Sequence, residues 1–192
     1  GNGISIWVPS LQGGFDDIVV EDNFLNNTDT GISAFGGSTP DRVSNAVIQH
    51  NISCHNRRGF NLNTRCTNPG ALKLMHNIAH NCLTGLTLEY QSGWEVRQNI
   101  FSDTTTHIAF KSAVTDGGLF PIDHNLYHAT SADAWTSTNP VARWNASTWR
   151  ALHDISGGLI DSTSIFAEPG FTNGSGRFDR PADFELPTRY QQ

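Results

Sequence analysis

Charge is scarce in this chain. Asp, Glu, Lys and Arg make up 16% of its 192 residues, and Asn, Thr, Ser and Gly carry the polarity instead. The net charge is −6 and Arg57-Arg58 is the one basic cluster, which argues against a nucleic-acid partner. Long apolar runs are missing: none nears the roughly 18 residues of a membrane span, and no signal peptide is present in the chain. The three cysteines, Cys54, Cys66 and Cys82, cannot all pair, and no CxxC or Cys/His zinc spacing occurs, so no disulfide framework is expected. A helical heptad period is absent too. A chain of this length folds as one domain with a core that needs no staples.

What is there is repetition. Around Asn77, apolar residues fall at −5, −3, +1, +9 and +11 (Leu72, Leu74, Ile78, Leu86, Leu88), with Gly85 at +8. The same grammar returns around Asn23, Asn51, Asn99 and, in part, Asn125, at spacings of 28, 26, 22 and 26 residues. Within each short run apolar and polar residues alternate, the signature of a strand with one face inward. Three short strands per repeat of this length define a parallel β-helix of about five coils over residues 1–127, with Leu72, Leu74, Ile78, Leu86 and Leu88 expected inward and the Asn residues stacked as a ladder. Gly3-Ile4-Ser5-Ile6-Trp7 matches the end of a repeat, so the chain is expected to begin mid-coil, with an edge open to further coils or to a second copy. Loop length varies after the third strand, at 36–45, 64–71, 90–93 and 112–119. Beyond Tyr127 the pattern fades. Asn145–Ile155 reads as a short amphipathic helix capped by Asn145 or Ser147, and residues 128–192 as a C-terminal cap and tail on the solenoid.

The coils, with His124-Asn125-Leu126-Tyr127, the Trp-rich helix, Asp161-Ser162-Thr163-Ser164, Ala167-Glu168-Pro169-Gly170-Phe171 and Asp183-Phe184-Glu185-Leu186, resemble right-handed, pectate-lyase-like parallel β-helix proteins. The resemblance covers nearly the whole chain. It implies a secreted or extracellular carbohydrate-active protein, and a substrate groove on the face of the third strand. It does not select a reaction, because that superfamily holds lyases, hydrolases, epimerases and inert coils.

In this register, position +12 of the third strand carries Trp7, Phe35, Asn63, Glu89 and Lys111, and position +10 carries Ser5, Ser33, Asn61, Thr87 and Ala109. Both columns are expected to face outward beside the variable loops. Trp7 and Phe35 with Asn61, Asn63 and Thr87 would form a sugar-binding surface. Scattered exposed apolar residues and cross-strand charge pairs such as Glu89–Lys111 are also ordinary surface features. Lys73–Glu95 and Arg97–Asp123 are read as structural pairs of that kind. A lyase acting on an acidic polysaccharide needs a base and a cation that neutralises the substrate carboxylate. Lys111 is the candidate base, Arg65 the carboxylate clamp, and His107, which replaces Gly at +8, a candidate acid or base at the groove border. Asn63 and Glu89 are candidate Ca²⁺ ligands, which loosely resembles the calcium site of chondroitinase-like and alginate-lyase-like β-helices. Hydrolysis needs two carboxylates, and Glu89 has a partner only if Asp103 or Asp116 reaches in. A non-catalytic glycan-binding or structural coil is the alternative. His50 and His76 stack in a turn column but supply only two ligands for a metal. The sequons at Asn26, Asn51, Asn145 and Asn173 carry little, since Asn51 is expected inside.

Overall fold

The computed structural model describes residues 1–7, 15–35, 43, 45–63, 71–89, 94–111, 121–128, 134–138, 141–155 (side chains only as far as 151), 161, 163–171 and 177–186. It is an all-β parallel solenoid of about four turns with one short helix and a 3-10 turn near the C-terminus. The first strands of successive coils, Val19–Glu21, Ala46–Gln49, Leu72–Met75, Trp94–Arg97 and Ile122–Asp123, form a first parallel sheet. The second strands, from Phe24–Asn26 to Leu126–His128, form a second sheet that Ile165–Phe166 completes. The third sheet runs Asn2–Trp7, Thr30–Phe35, Arg58–Asn63, Thr84–Leu88, Thr106–Phe110 and Trp135–Thr138, closed by an antiparallel strand, Val141–Trp144. Parallel pairing therefore continues past Tyr127: Ile108 pairs with Trp135 and Leu126 with Ile165. Neither strand repeats the Asn-centred pattern, which is why periodicity does not reveal them.

Each coil turns its first corner on a residue in the left-handed region followed by the ladder Asn. Asp22, His50, His76, Gln98 and His124 have φ between 54 and 58°. The Asn side chains then run through the interior. Asn77 Nδ2 donates to the carbonyls of Ile48 and Met75, each at 2.8 Å, and its Oδ1 accepts the Asn51 backbone N–H at 3.0 Å. Asn51 and Asn99 repeat these bonds, and Asn125 closes the ladder by accepting from Asn99. Corner carbonyls and amides that the sheets cannot reach are thereby satisfied.

The inward columns are those expected on the first and third strands: Ile48, Leu72, Leu74, Val96, Ile32, Phe60, Leu62, Leu86, Leu88, Ile108 and Phe110 are all buried. On the second strand the expectation is corrected. Alternation restarts from the inward Asn, so +2 faces in (Ser53, Ala79, Phe101, Tyr127), whereas Ile78 at +1 is only half-buried on the outer side. That outer face is covered by the C-terminal segment. Phe184 lies 6.2 Å from Phe24, and His80 is ringed by Phe171, Phe178 and Phe184 at 5.9, 4.3 and 5.4 Å. At the last coil the helix Ala146–Ile155 is capped by Asn145, whose Oδ1 accepts the Thr148 N–H at 3.0 Å. Its Trp149 stacks on Trp135 at 5.4 Å and on Phe110 at 5.6 Å.

The glycine column marks where coils approach most closely. A Cβ on Gly59 would sit 2.6 Å from the Gly85 carbonyl and 3.0 Å from Ala79 Cβ, both rigidly held. Gly59→Ala is expected to destabilise the protein by about 2 kcal/mol or more, read as a lower urea midpoint. An unchanged midpoint would show that the coils have slack.

Candidate functional site

Strand pairing places the third-sheet columns as the sequence register does. Trp7, Phe35 and Asn63 are successive partners, as are Ser5, Ser33, Asn61, Thr87 and Ala109. Glu89 and Lys111 follow the ends of their strands and hydrogen-bond through their N–H groups to Leu62 and Leu88. With five positions spaced about 4.8 Å apart, the +12 column forms a ledge roughly 19 Å long.

The ledge has two distinct ends. Trp7 is 64% exposed and Phe35 is half-buried beside it. At the other end Lys111 Nζ lies 3.8 Å from Glu89 Oε2, with both side chains partly in solvent. Asn63 stands between them. Its Oδ1 is buried and accepts no hydrogen bond.

The +10 column differs from expectation. Ser33, Asn61 and Thr87 are buried, at 0, 9 and 3% exposure, so Asn61 and Thr87 do not present an open sugar-binding surface. Alternation tells which way a side chain points, not what lies over it. Ser33 Oγ and Asn61 Oδ1 are nonetheless unpartnered. With Asn63 they make a seam of three buried acceptors at adjacent positions, a feature that ordinarily signals a bound water, ion or ligand.

His107 is not at the groove. Its position points inward, because the +8 vector of each coil aims at the +2 side chain of the next: Gly31 at Ser53, Gly59 at Ala79, Gly85 at Phe101. By the same geometry His107 meets Tyr127, ring to ring at 5.2 Å, and is fully buried. Counting parity from Ile108 would place it outside; the corner before the strand breaks that parity. Burial drives its imidazole down to about 3, so it is neutral at physiological pH. It therefore does not join Lys111 and Glu89 as an acid or base. Arg65 and Asp116 lie outside the described residues.

The other charged and histidine residues singled out in the sequence lie away from this ledge. Asp103 lies between His80 and His128, 3.5 and 3.2 Å from their Nδ1 atoms, on the second-sheet side rather than near Glu89. Arg97 pairs along its own strand with Glu95 at 3.0 Å, although Glu95 also faces Lys73 in register. Asp123 accepts the Thr163 N–H at 2.9 Å. His50 and His76 stack at 5.2 Å, and burial and the mutual repulsion of the two rings lower His76. Cys54 and Cys82 are free and buried thiols, pushed up to about 12 and about 11 chiefly by desolvation, which makes them inert.

The seam of orphan acceptors is what sequence reasoning missed. The one hint was a run of short polar residues, Ser33, Asn61 and Thr87, at successive positions of a single column. Comparisons with protein-family models, with curated proteins and with solved structures find no match to this chain.

Proposed function

We propose that this protein binds an acidic polysaccharide laid across its coils on the outward face of the third sheet, as a carbohydrate-active, pectate-lyase-like β-helix. The observation that carries this reading is the ledge itself. An exposed aromatic end at Trp7 and Phe35, the partly exposed Asn63 and the ion pair of Glu89 with Lys111 follow one another at strand spacing. Sugar faces stack on aromatic rings, sugar hydroxyls hydrogen-bond to exposed amide and carboxylate groups, and uronate or sulfate groups pair with ammonium.

Cleavage by β-elimination draws on a second observation, the oxygen donors next to that cation. The Glu89 carboxylate is a hard ligand of the kind Ca²⁺ takes, and Asn63 would be a second only with its buried Oδ1 turned outward, whereas the ion requires six to eight oxygens. Among the described residues no cluster of three His, Cys, Asp or Glu could hold a metal. A calcium ion here would therefore rest on Asn63, Glu89 and the substrate's own carboxylate, whose charge it would neutralise. As the free amine, once clear of Glu89, Lys111 would take the proton α to that carboxylate as the C=C bond forms and the glycosidic C–O bond breaks, and water would protonate the departing sugar oxygen. Hydrolysis lacks support, because the described neighbours of Glu89 supply no second carboxylate.

Calorimetric titration with pectate, alginate and chondroitin tests binding, and ultraviolet absorbance of unsaturated products tests cleavage. Trp7→Ala is expected to weaken binding about tenfold, equivalent to about 1.4 kcal/mol. Lys111→Ala is expected to abolish preference for acidic over neutral glycans while leaving the melting temperature unchanged. Native protein that binds none of the three would overturn the reading. Binding without product would remove the lyase and keep the ledge.

A further inference from the structure

The first corner of each coil places one exposed residue on a common ridge: Asp22, His50, His76, Gln98 and His124, all in the left-handed region with φ between 54 and 58°. Two imidazoles fall on adjacent coils. His50 and His76 face each other with ring centroids 5.2 Å apart and planes 29° from parallel. Both are exposed, and among the described residues no hydrogen bond or ion pair engages a nitrogen of either ring. His124 stands apart: Gln98 separates it from His76, and its Nδ1 lies 3.4 Å from Asp123 Oδ2.

The ladder sets this spacing. Each imidazole is borne by the residue just before a ladder Asn, and Asn77 Oδ1 accepts both the backbone N–H and the Nδ2 of Asn51 at 3.0 Å. The two corners are held in register from behind, while the side chains in front are free to turn. An ion taking one nitrogen from each ring at about 2.0–2.1 Å requires centroids roughly 4.5–5.2 Å apart, the value depending on the N–metal–N angle. The observed separation meets that requirement, and turning either ring about its χ2 bond brings the two lone pairs toward one point. Burial, and then the neighbouring His50 ring, lower the pKa of His76, so its nitrogen is free of a proton at pH 7.

The ligand type selects the ion. Ca²⁺ and Mg²⁺ take oxygen rather than imidazole. Among the described residues no third His, Cys, Asp or Glu joins the pair, so it is not the closed four-ligand site of structural zinc. Two nitrogens with positions left open to water suit the tetragonal coordination of Cu²⁺, which also heads the affinity order of the divalent ions. We propose that His50 and His76 form a surface site for a divalent late transition ion, Cu²⁺ foremost, which clips together two adjacent coils. The site lies on the first corner, away from the third-sheet ledge, and is independent of the glycan reading.

Cu²⁺ titrated into the full chain at pH 7, followed by calorimetry and electron paramagnetic resonance, tests it. One tight ion per chain is expected, with two imidazole nitrogens in its spectrum and an affinity at least tenfold above that for Zn²⁺. His50→Asn and His76→Asn keep a residue that tolerates the left-handed backbone. Each is expected to weaken Cu²⁺ binding at least tenfold without lowering the melting temperature, whereas His124→Asn is expected to leave it unchanged. No saturable binding, a spectrum with a single nitrogen, Zn²⁺ bound more tightly than Cu²⁺, or full affinity in either of the first two variants would each overturn the proposal. Full affinity there with loss in His128→Asn would place the ion instead at Asp103, between His80 and His128.

Discussion

Asn77→Ala is expected to destabilise the protein by about 4 kcal/mol and to lower its melting temperature by roughly 10 °C. The side chain bonds the carbonyls of Ile48 and Met75, accepts the Asn51 N–H, and links to Asn99 Oδ1 at 3.1 Å. Alanine takes the partner from the buried Ile48 carbonyl and Asn51 N–H and from the part-buried Met75 carbonyl. Each costs about 1–3 kcal/mol, against a total stability of about 5–15 kcal/mol for a domain. The end of the ladder provides the control. Asn23 is only partly buried, and among the described residues no backbone N–H donates to its side chain, so Asn23→Ala should cost less than half as much. Equal losses at the two positions, measured by urea unfolding, would mean that the ladder is not the source of the stability.

The second large effect is a pH dependence in which buried groups oppose one another. Burial raises Asp161 from 3.8 to about 7, although hydrogen bonds from Ser164, Trp149 and Tyr127 pull the other way. Between those pH values the folded state holds a proton that the unfolded state has released, so this group's contribution to stability falls as pH rises from about 4 to 7. His107 does the opposite. Lowered from 6.5 to about 3, it stays neutral in the fold while the unfolded chain takes a proton, so its contribution falls as pH drops below 6.5. His80, lowered to about 4 mainly by burial, adds in the same direction as His107. From pH 7 to 4, Asp161 and His107 each contribute on the order of 3–4 kcal/mol with opposite sign. Asp161→Asn removes one side of this balance. The variant should gain stability relative to the native protein at pH 7, and lose that advantage steadily as the pH falls to 4. A stability difference independent of pH, measured in denaturant at each pH, would show that Asp161 does not titrate in this window.

Much of the fold is legible in the sequence, for a local reason. Residues of one column repeat every coil, so Leu72, Leu74, Leu86 and Leu88 identify an inward face by alternation alone. The Asn positions announce the ladder because an inward polar side chain must find backbone partners. The capping Asn145 is equally local. What alternation does not carry across a corner was misplaced: Ile78 went inward and His107 outward, because a left-handed residue before each Asn and the turn before the third strand reset the parity. The strands Trp135–Thr138 and Ile165–Phe166 carry no signature of the repeat, because neither has a ladder Asn of its own, and Ile165 pairs with Leu126 across 39 residues, longer than any coil spacing.

The candidate site divides in the same way. The sequence by itself determined the parallel coil, its ladder and the order Trp7, Phe35, Asn63, Glu89, Lys111 along one column, since all of these follow from a repeat that each coil states separately. Only the tertiary structure decided that Asn61 and Thr87 are covered, that Glu89 and Lys111 are ion-paired, and that His107 is packed among the rings of Phe101, Tyr127 and Trp135. Burial and pairing depend on what packs over a residue. That is set by segments distant in sequence, such as Trp135 and Phe166 around His107 and the C-terminal phenylalanines around His80, and no period within a coil records them.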